Sequence, residues 1–144
     1  MYLLDTTHCL RLFWGVLEEK LKSFDKIQLS TNVIARGELI YGIHKSERFY
    51  DNFIKFESFL KDIKVYPVDD DTANSYGKLK NEIVGVFGPK DKSKLRNFKV
   101  DSLGFKENDL WISASAIQHN LILVSADKHI HQLQGINGLK VESW

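Results

Sequence analysis

Four carboxylates in this chain stand where a parallel α/β scaffold would bring them to one edge: Asp5, Glu38, Asp109 and Asp127. Asp5 directly follows the apolar run Tyr2-Leu3-Leu4, and Asp127 comes shortly after Leu121-Ile122-Leu123-Val124. Such runs read as strands of a parallel sheet buried on both faces, and open sheets of this kind place their ligands outside the carboxyl ends of the strands. Asp109 falls in the first turn of a helix, where the dipole favours a carboxylate. The same helix carries Ser113-Ala114-Ser115-Ala116, small enough to pack closely on a sheet. Glu38 lies about two turns into another helix, sharing a face with Ile34 and Tyr41. A glutamate among apolar neighbours is rare unless it is paired. Four gathered carboxylates repel one another unless cations neutralise them. Donors that are all oxygen suit Mg²⁺ or Mn²⁺ and not zinc. A site of that kind lowers the pKa of a bound water and stabilises the leaving oxygen of a phosphodiester.

The elements that must position these acids can be read in order. A strand over Tyr2 to Leu4 is followed by a helix capped by Thr6 or Thr7 and carrying Leu10, Leu12, Phe13, Val16 and Leu17. A second strand is expected at Ile27 to Leu29, and Ser30, Thr31 and Asn32 offer caps for a helix over Val33 to Lys45. A further helix over Ser46 to Lys61 carries Phe49, Phe53, Phe56 and Phe59 at helical spacing. Ile63 to Val68 reads as a strand interrupted by Pro67. Asp69 to Thr72 cap a helix through Ile83, which Gly85 to Pro89 break. After the Asp109 helix and the Leu121 strand, Leu139 to Trp144 alternate like a terminal edge strand. The order implies one domain over residues 1–144, an α/β fold with a central, mostly parallel sheet flanked by helices.

Composition narrows the function classes. A net charge of +1 provides no global field for nucleic acid or membranes, so any such field must be local. One cysteine, Cys9, excludes a disulfide scaffold and fits a reducing cytoplasm. No apolar run approaches the roughly 20 residues of a membrane span. Residues 85–106 read as an inserted basic loop, with five positive charges and one negative between Lys90 and Lys99. Lys92, Lys94 and Arg96 there, and Lys45 after Glu38, are candidate phosphate contacts. His8 and His129 lie close enough in sequence to Asp5 and Asp127 to touch a substrate phosphate. His119, His129 and His131 lack the further soft ligands that zinc requires. A second aspartate two residues after the first, needed by one class of phosphatase, is replaced by Thr7, and no phosphate-cradling glycine loop is present.

Tyr2-Leu3-Leu4-Asp5-Thr6-Thr7, Gly37-Glu38-Leu39-Ile40-Tyr41-Gly42, Asn108-Asp109-Leu110-Trp111-Ile112, Leu123-Val124-Ser125-Ala126-Asp127 and Leu139-Lys140-Val141-Glu142-Ser143-Trp144 together resemble the successive motifs of PIN-domain ribonucleases. Within that family the chain is most similar to VapC-like toxins of type II toxin–antitoxin pairs. The resemblance implies a Mg²⁺-dependent endoribonuclease (Mn²⁺ an alternative), cytoplasmic and homodimeric. It further implies an RNA substrate (tRNA, rRNA or mRNA) and a cognate antitoxin. It carries over Asp5, Glu38, Asp109 and Asp127 as the catalytic quartet. Asp5, Asp109 and Asp127 are the expected metal ligands, with Glu38 able to stand in for Asp127. Ser125 matches a Ser/Thr position that helps arrange the site. Thr7 stands where the family often has Asn, and is expected to support the first acid. The competing reading is a PIN-like module that binds RNA or protein without cutting. The Ser46 to Lys61 helix is expected to serve a dimer surface or an antitoxin groove.

Overall fold

The computed structural model describes residues 1–24 and 28–144. Five short strands form one parallel sheet in the order β3-β2-β1-β4-β5: β1 (Tyr2–Leu4), β2 (Leu29–Asn32), β3 (Lys64–Tyr66), β4 (Ile122–Val124) and β5 (Lys140–Glu142). Every neighbouring pair runs parallel, with Leu3 opposite Ser30 on one side and Leu123 on the other. Chain order therefore runs outward from β1 to β2 and β3, then returns to β4 and β5. That reversal makes the junction of β1 and β4 the switch point of the sheet, where the strand ends leave a crevice.

Among the described residues there are eight helices: α1 (Thr6–Phe13), α2 (Glu18–Lys22), α3 (Val33–His44), α4 (Phe49–Phe59), α5 (Asp70–Phe87), α6 (Lys92–Leu95), α7 (Glu107–Gln118) and α8 (Lys128–Gln132). Of these, α1, α3, α4, α5 and α7 pack on the two faces. Successive strand residues point to opposite faces, and the core divides accordingly. Leu3 and Leu123 join Leu79, Ile83, Leu110 and Ile112 of α5 and α7. Leu4 and Val124 join Cys9, Leu39 and Phe56 of α1, α3 and α4. Cys9 behaves as a small apolar residue: burial pushes its thiol up to about 12, against a hydrogen bond from Thr31 and with help from the Asp5 charge.

Several boundaries differ from the sequence reading, each for a local reason. Asp5, not Thr6 or Thr7, caps α1; both threonines lie inside its first turn. The second strand runs Leu29–Asn32, and Asn32 is at once its last residue and the cap of α3, accepting from the Ala35 N–H. The Ile27 start expected for that strand lies outside the described residues. The helix expected from Ser46 begins only at Phe49, because the Ser46 hydroxyl accepts from the Arg48 N–H and the Asn52 amide and holds a turn there. The Ile63 to Val68 strand is confined to Lys64–Tyr66 on the sheet edge; Pro67 has no N–H to continue the ladder. Gly85 does not break α5, which runs from an Asp69–Thr72 capping box to Phe87. Residues 85–106 are more than a loop: they include α6 and a 3-10 turn over Val100–Leu103, and they bury Val100 and Phe105 in the core. Among the described residues no helix is long and apolar enough to cross a membrane.

Candidate functional site

Asp5 and Asp127 flank the switch point, each as a helix cap. The N–H of Asp5 donates to the Val124 carbonyl, so the sheet ladder itself holds the residue at the end of β1. Its Oδ1 accepts from the His8 N–H at 2.7 Å and lies 2.9 Å from His8 Nδ1. Asp127 Oδ1 accepts from the His129 N–H at 2.7 Å, with the His129 ring Nδ1 at 3.3 Å and Lys106 Nζ 4.0 Å from Oδ2. Partial burial works to raise the Asp127 carboxyl. The His129 N–H, the His129 ring and Lys106 together outweigh it and hold the group below the usual carboxylate range. The Ser125 hydroxyl accepts from the Asp127 N–H at 3.1 Å, and the Ser125 carbonyl meets His131 Nε2 at 2.8 Å. Ser125 thus shapes the turn that aims Asp127.

Glu38 and Asp109 come from α3 and α7, which are locked together by the buried Asn32 amide donating to Ser115 Oγ at 2.9 Å. Both oxygens of Glu38 are held: Thr6 Oγ1 donates to Oε2, and Asn108 Nδ2 donates to Oε1 at 2.8 Å. Each clamp is the chain neighbour of another acid, so Asp5-Thr6, Glu38 and Asn108-Asp109 form one linked set. Asp109 carries the electrostatic result. Its carboxyl is pushed up to about 6, first by burial, with Lys106 opposing and with Asp127, Glu38 and Asp5 all adding repulsion. The four acids predicted from sequence therefore act on one another here, although they span 122 positions of chain from Asp5 to Asp127.

The supporting residues are distributed differently from expectation. Thr7 is exposed, and among the described residues it makes no side-chain hydrogen bond; its neighbour Thr6 touches an acid instead. His8 is buried behind Asp5 and out of reach of a phosphate. Lys45 is exposed, with its ammonium 4.1 Å from the Tyr41 ring centre. Lys92, Lys94 and Arg96 are exposed on and just after α6, and among the described residues none pairs with the acids. Glu107 faces away from the quartet, bonding Tyr76 and Lys80. Sequence reasoning passed over Thr6, Asn108 and Lys106. Their chemistry depends on contacts across the fold, although Thr6 and Asn108 are next to predicted acids and could have been weighed on that ground.

The donor set suits a hard divalent cation. Among the described residues Lys106 is the cation that opposes the rise at Asp109, while burial and the charges of Asp127, Glu38 and Asp5 all favour it. Among the described residues no three His, Cys, Asp or Glu side chains already form a closed cage. The acids thus gather at the switch point of a parallel sheet, where α/β folds of this class place their ligands.

Comparison with known proteins narrows that class. The family model for the PIN domain matches residues 2–136, and the chain belongs to the PIN-domain family. Ribonuclease VapC2 of Rickettsia felis is 27% identical over 151 residues, spanning 100% of this chain and 98% of that protein. The fold is shared with VapBC2 from Rickettsia felis bound to a DNA fragment from their promoter (TM-score 0.70, 24% identity, 99% of this chain and 98% of that one). It is also shared with DNA-bound VapBC from Salmonella typhimurium (TM-score 0.76, 21% identity, 99% and 97%). VapBC-1 from nontypeable Haemophilus influenzae is comparable (TM-score 0.74, 22% identity, 99% and 97%).

Proposed function

We propose that this protein is a Mg²⁺-dependent endoribonuclease and the toxin of a toxin–antitoxin pair. The observation that carries the reading is the gathering of Asp5, Glu38 and Asp127 around Asp109, whose carboxyl rises to about 6 first through burial and then through the charges of the other three. A relative named as a ribonuclease along its whole length supports the substrate class. Asp5, Asp109 and Asp127 would hold the cation, with Glu38 beside them. When bound, Mg²⁺ (or Mn²⁺) supplies Lewis-acid stabilisation of a phosphodiester and a more acidic water. The protein's own part is positioning. Thr6 and Asn108 fix Glu38, the His129 N–H orients Asp127, and Lys106 offers a positive charge to an approaching phosphate. The exposed Lys92, Lys94 and Arg96 add salt-sensitive attraction for tRNA, rRNA or mRNA.

The partner is a cognate antitoxin, in line with the VapBC complexes that share the fold. A cavity of about 270 Å³ between α1, α3 and α4 is lined by Leu10, Phe13, Trp14, Leu39, Ile43 and Phe56 and reaches Glu38. Its shape and chemistry suit an apolar helix face, with Glu38 at one end. Tyr50 and Ile54 on α4 are strongly exposed and suit a homodimer contact. The setting proposed is cytoplasmic. The deciding experiment is cleavage of RNA by partner-free protein with Mg²⁺. Wild-type protein cuts, and Asp109→Asn, still folded, does not. RNA binding without cleavage by wild-type protein would instead support the non-catalytic module.

A further inference from the structure

Asp5, His8 and Arg11 follow one another at i, i+3 spacing from the cap of α1 into the helix, and they form a chain of contacts that runs from the first acid through buried His8 to half-buried Arg11. His8 is wholly buried. Its N–H and its Nδ1 both meet the same oxygen of Asp5, Oδ1, at 2.7 and 2.9 Å. Its Nε2 lies 3.2 Å from Arg11 Nη1 and 3.4 Å from the Trp144 main-chain oxygen, and Arg11 Nη1 donates to that same oxygen at 2.8 Å. A guanidinium can only donate. In that contact Nε2 accepts, which leaves Nδ1 to donate to Asp5 Oδ1. This tautomer follows from the network around the ring. With both ring nitrogens engaged, His8 is neither a metal ligand nor a phosphate contact. Asp5 Oδ2 has no hydrogen-bond partner among the described residues.

We propose that His8, backed by Arg11 and the Trp144 main-chain oxygen, is a positioning residue for Asp5. It saturates Oδ1 and fixes the carboxylate plane, so that Oδ2 is the oxygen offered to a divalent cation. The inference rests on the metal-dependent reading above and adds residues to it. A buried partner that orients a metal-binding group is commonly worth about 10–100-fold in metal affinity. Trp144 lies just past β5, so the network also ties the last strand of the sheet to the first acid.

The test compares wild-type protein with Asp5→Asn, His8→Leu, His8→Asn and Arg11→Met. It measures Mn²⁺ affinity by electron paramagnetic resonance, thermal unfolding, and kcat and KM for RNA cleavage. His8→Leu is expected to bind Mn²⁺ about 10–100-fold more weakly, with kcat reduced and KM for RNA unchanged. His8→Asn is expected to recover most of that loss, because its amide N–H can stand where Nδ1–H stood. Arg11→Met is expected to show a smaller loss in the same direction. A folded His8→Leu with wild-type affinity and kcat overturns the proposal, as does a folded His8→Asn no better than a folded His8→Leu. If His8→Leu does not fold, Arg11→Met decides, and wild-type affinity and kcat in that variant overturn the proposal. If wild-type protein binds no Mn²⁺ and Asp5→Asn changes nothing, the metal-dependent reading fails and this inference falls with it. Binding that Asp5→Asn abolishes and His8→Leu leaves intact defeats this inference alone.

Discussion

Replacing one of the proposed catalytic acids should make this protein more stable, and Asp109→Asn is the sharpest case. The folded carboxyl is raised from 3.8 to about 6, first by burial and then by the surrounding acids. A group raised in this way contributes its stability below the unfolded value, near 4, and loses it as pH rises through about 6. Above that, the folded state carries a charge it would rather not hold. The rise corresponds to about 3 kcal/mol between the two protonation states. Asp109 is only partly buried, so solvent screening reduces this to roughly 1–2 kcal/mol. Losing a carboxylate in the first turn of α7 takes back about 0.5 kcal/mol of dipole interaction. Asp109→Asn should therefore be stabilised by about 1 kcal/mol at pH 8 in EDTA, or about 3 °C in Tm for a domain of this size. At pH 4 the gain should vanish. Added Mg²⁺ should raise the Tm of the wild-type protein and not of the variant, because only a state that binds the ion gains from it. Thermal unfolding followed by circular dichroism at both pH values, with and without Mg²⁺, reads all of this. A variant that melts at or below wild type at pH 8 in EDTA would refute the claim that the four acids strain one another.

Gly104 has φ +89°, and a Cβ there would lie 2.6 Å from His129 Nε2; Gly104→Ala should cost about 1–3 kcal/mol in denaturant titration and reduce cleavage, because His129 orients Asp127. Asn108→Ala removes one of two holds on Glu38, so cleavage should fall about tenfold or more while stability changes by under about 1 kcal/mol; unchanged kcat would show that Glu38 does not depend on the clamp. Lys106→Gln removes the charge that restrains the Asp109 carboxyl; an NMR titration of Asp109 in metal-free protein should move further upward, and a downward move would contradict the assignment. Asp127→Asn keeps an oxygen to cap α8 and should stay within about 0.5 kcal/mol of wild type, whereas Asp127→Ala loses the cap at about 1 kcal/mol; both should lose cleavage, and equal melting of the two would deny the capping role.

The fold was legible wherever one strong local pattern decided it. Apolar runs at Tyr2 and Leu121 with acids after them gave β1, β4 and their flanking carboxylates, because a strand buried on both faces leaves a continuous signature. The terminal alternation gave β5 on the edge. What was missed is non-local or short. Helices α2, α6 and α8 span five, four and five residues, too few for a periodic pattern. The Thr6 bond to Glu38 crosses 32 positions and that of Asn108 crosses 70, so no window of sequence contains either pair. Thr7 stands out in the sequence because it falls where the family often has Asn, a position that carries no information about contacts across the fold. Once Asp5 is the cap, Thr6 occupies the first helical position and turns toward α3.

Capping explains why structural and functional readings of these acids do not compete. A lone aspartate at the start of a helix is ordinarily a cap, and Asp5 and Asp127 are caps: each gives one oxygen to a main-chain N–H two or three residues on. A carboxylate has two oxygens and about four acceptor sites, so the cap uses half the group and fixes the direction of the other half. Asp5 Oδ1 is taken by His8, and Asp127 Oδ1 by His129. The helix start thus does for these acids what Thr6 and Asn108 do for Glu38. Asp109, inside its helix and without such a hold among the described residues, is pushed up first by burial and then by the charges of the other three. Three restrained carboxylates and one strained one make a site whose charge is organised by the fold itself, and under the proposed function a cation would bind there with little reorganisation.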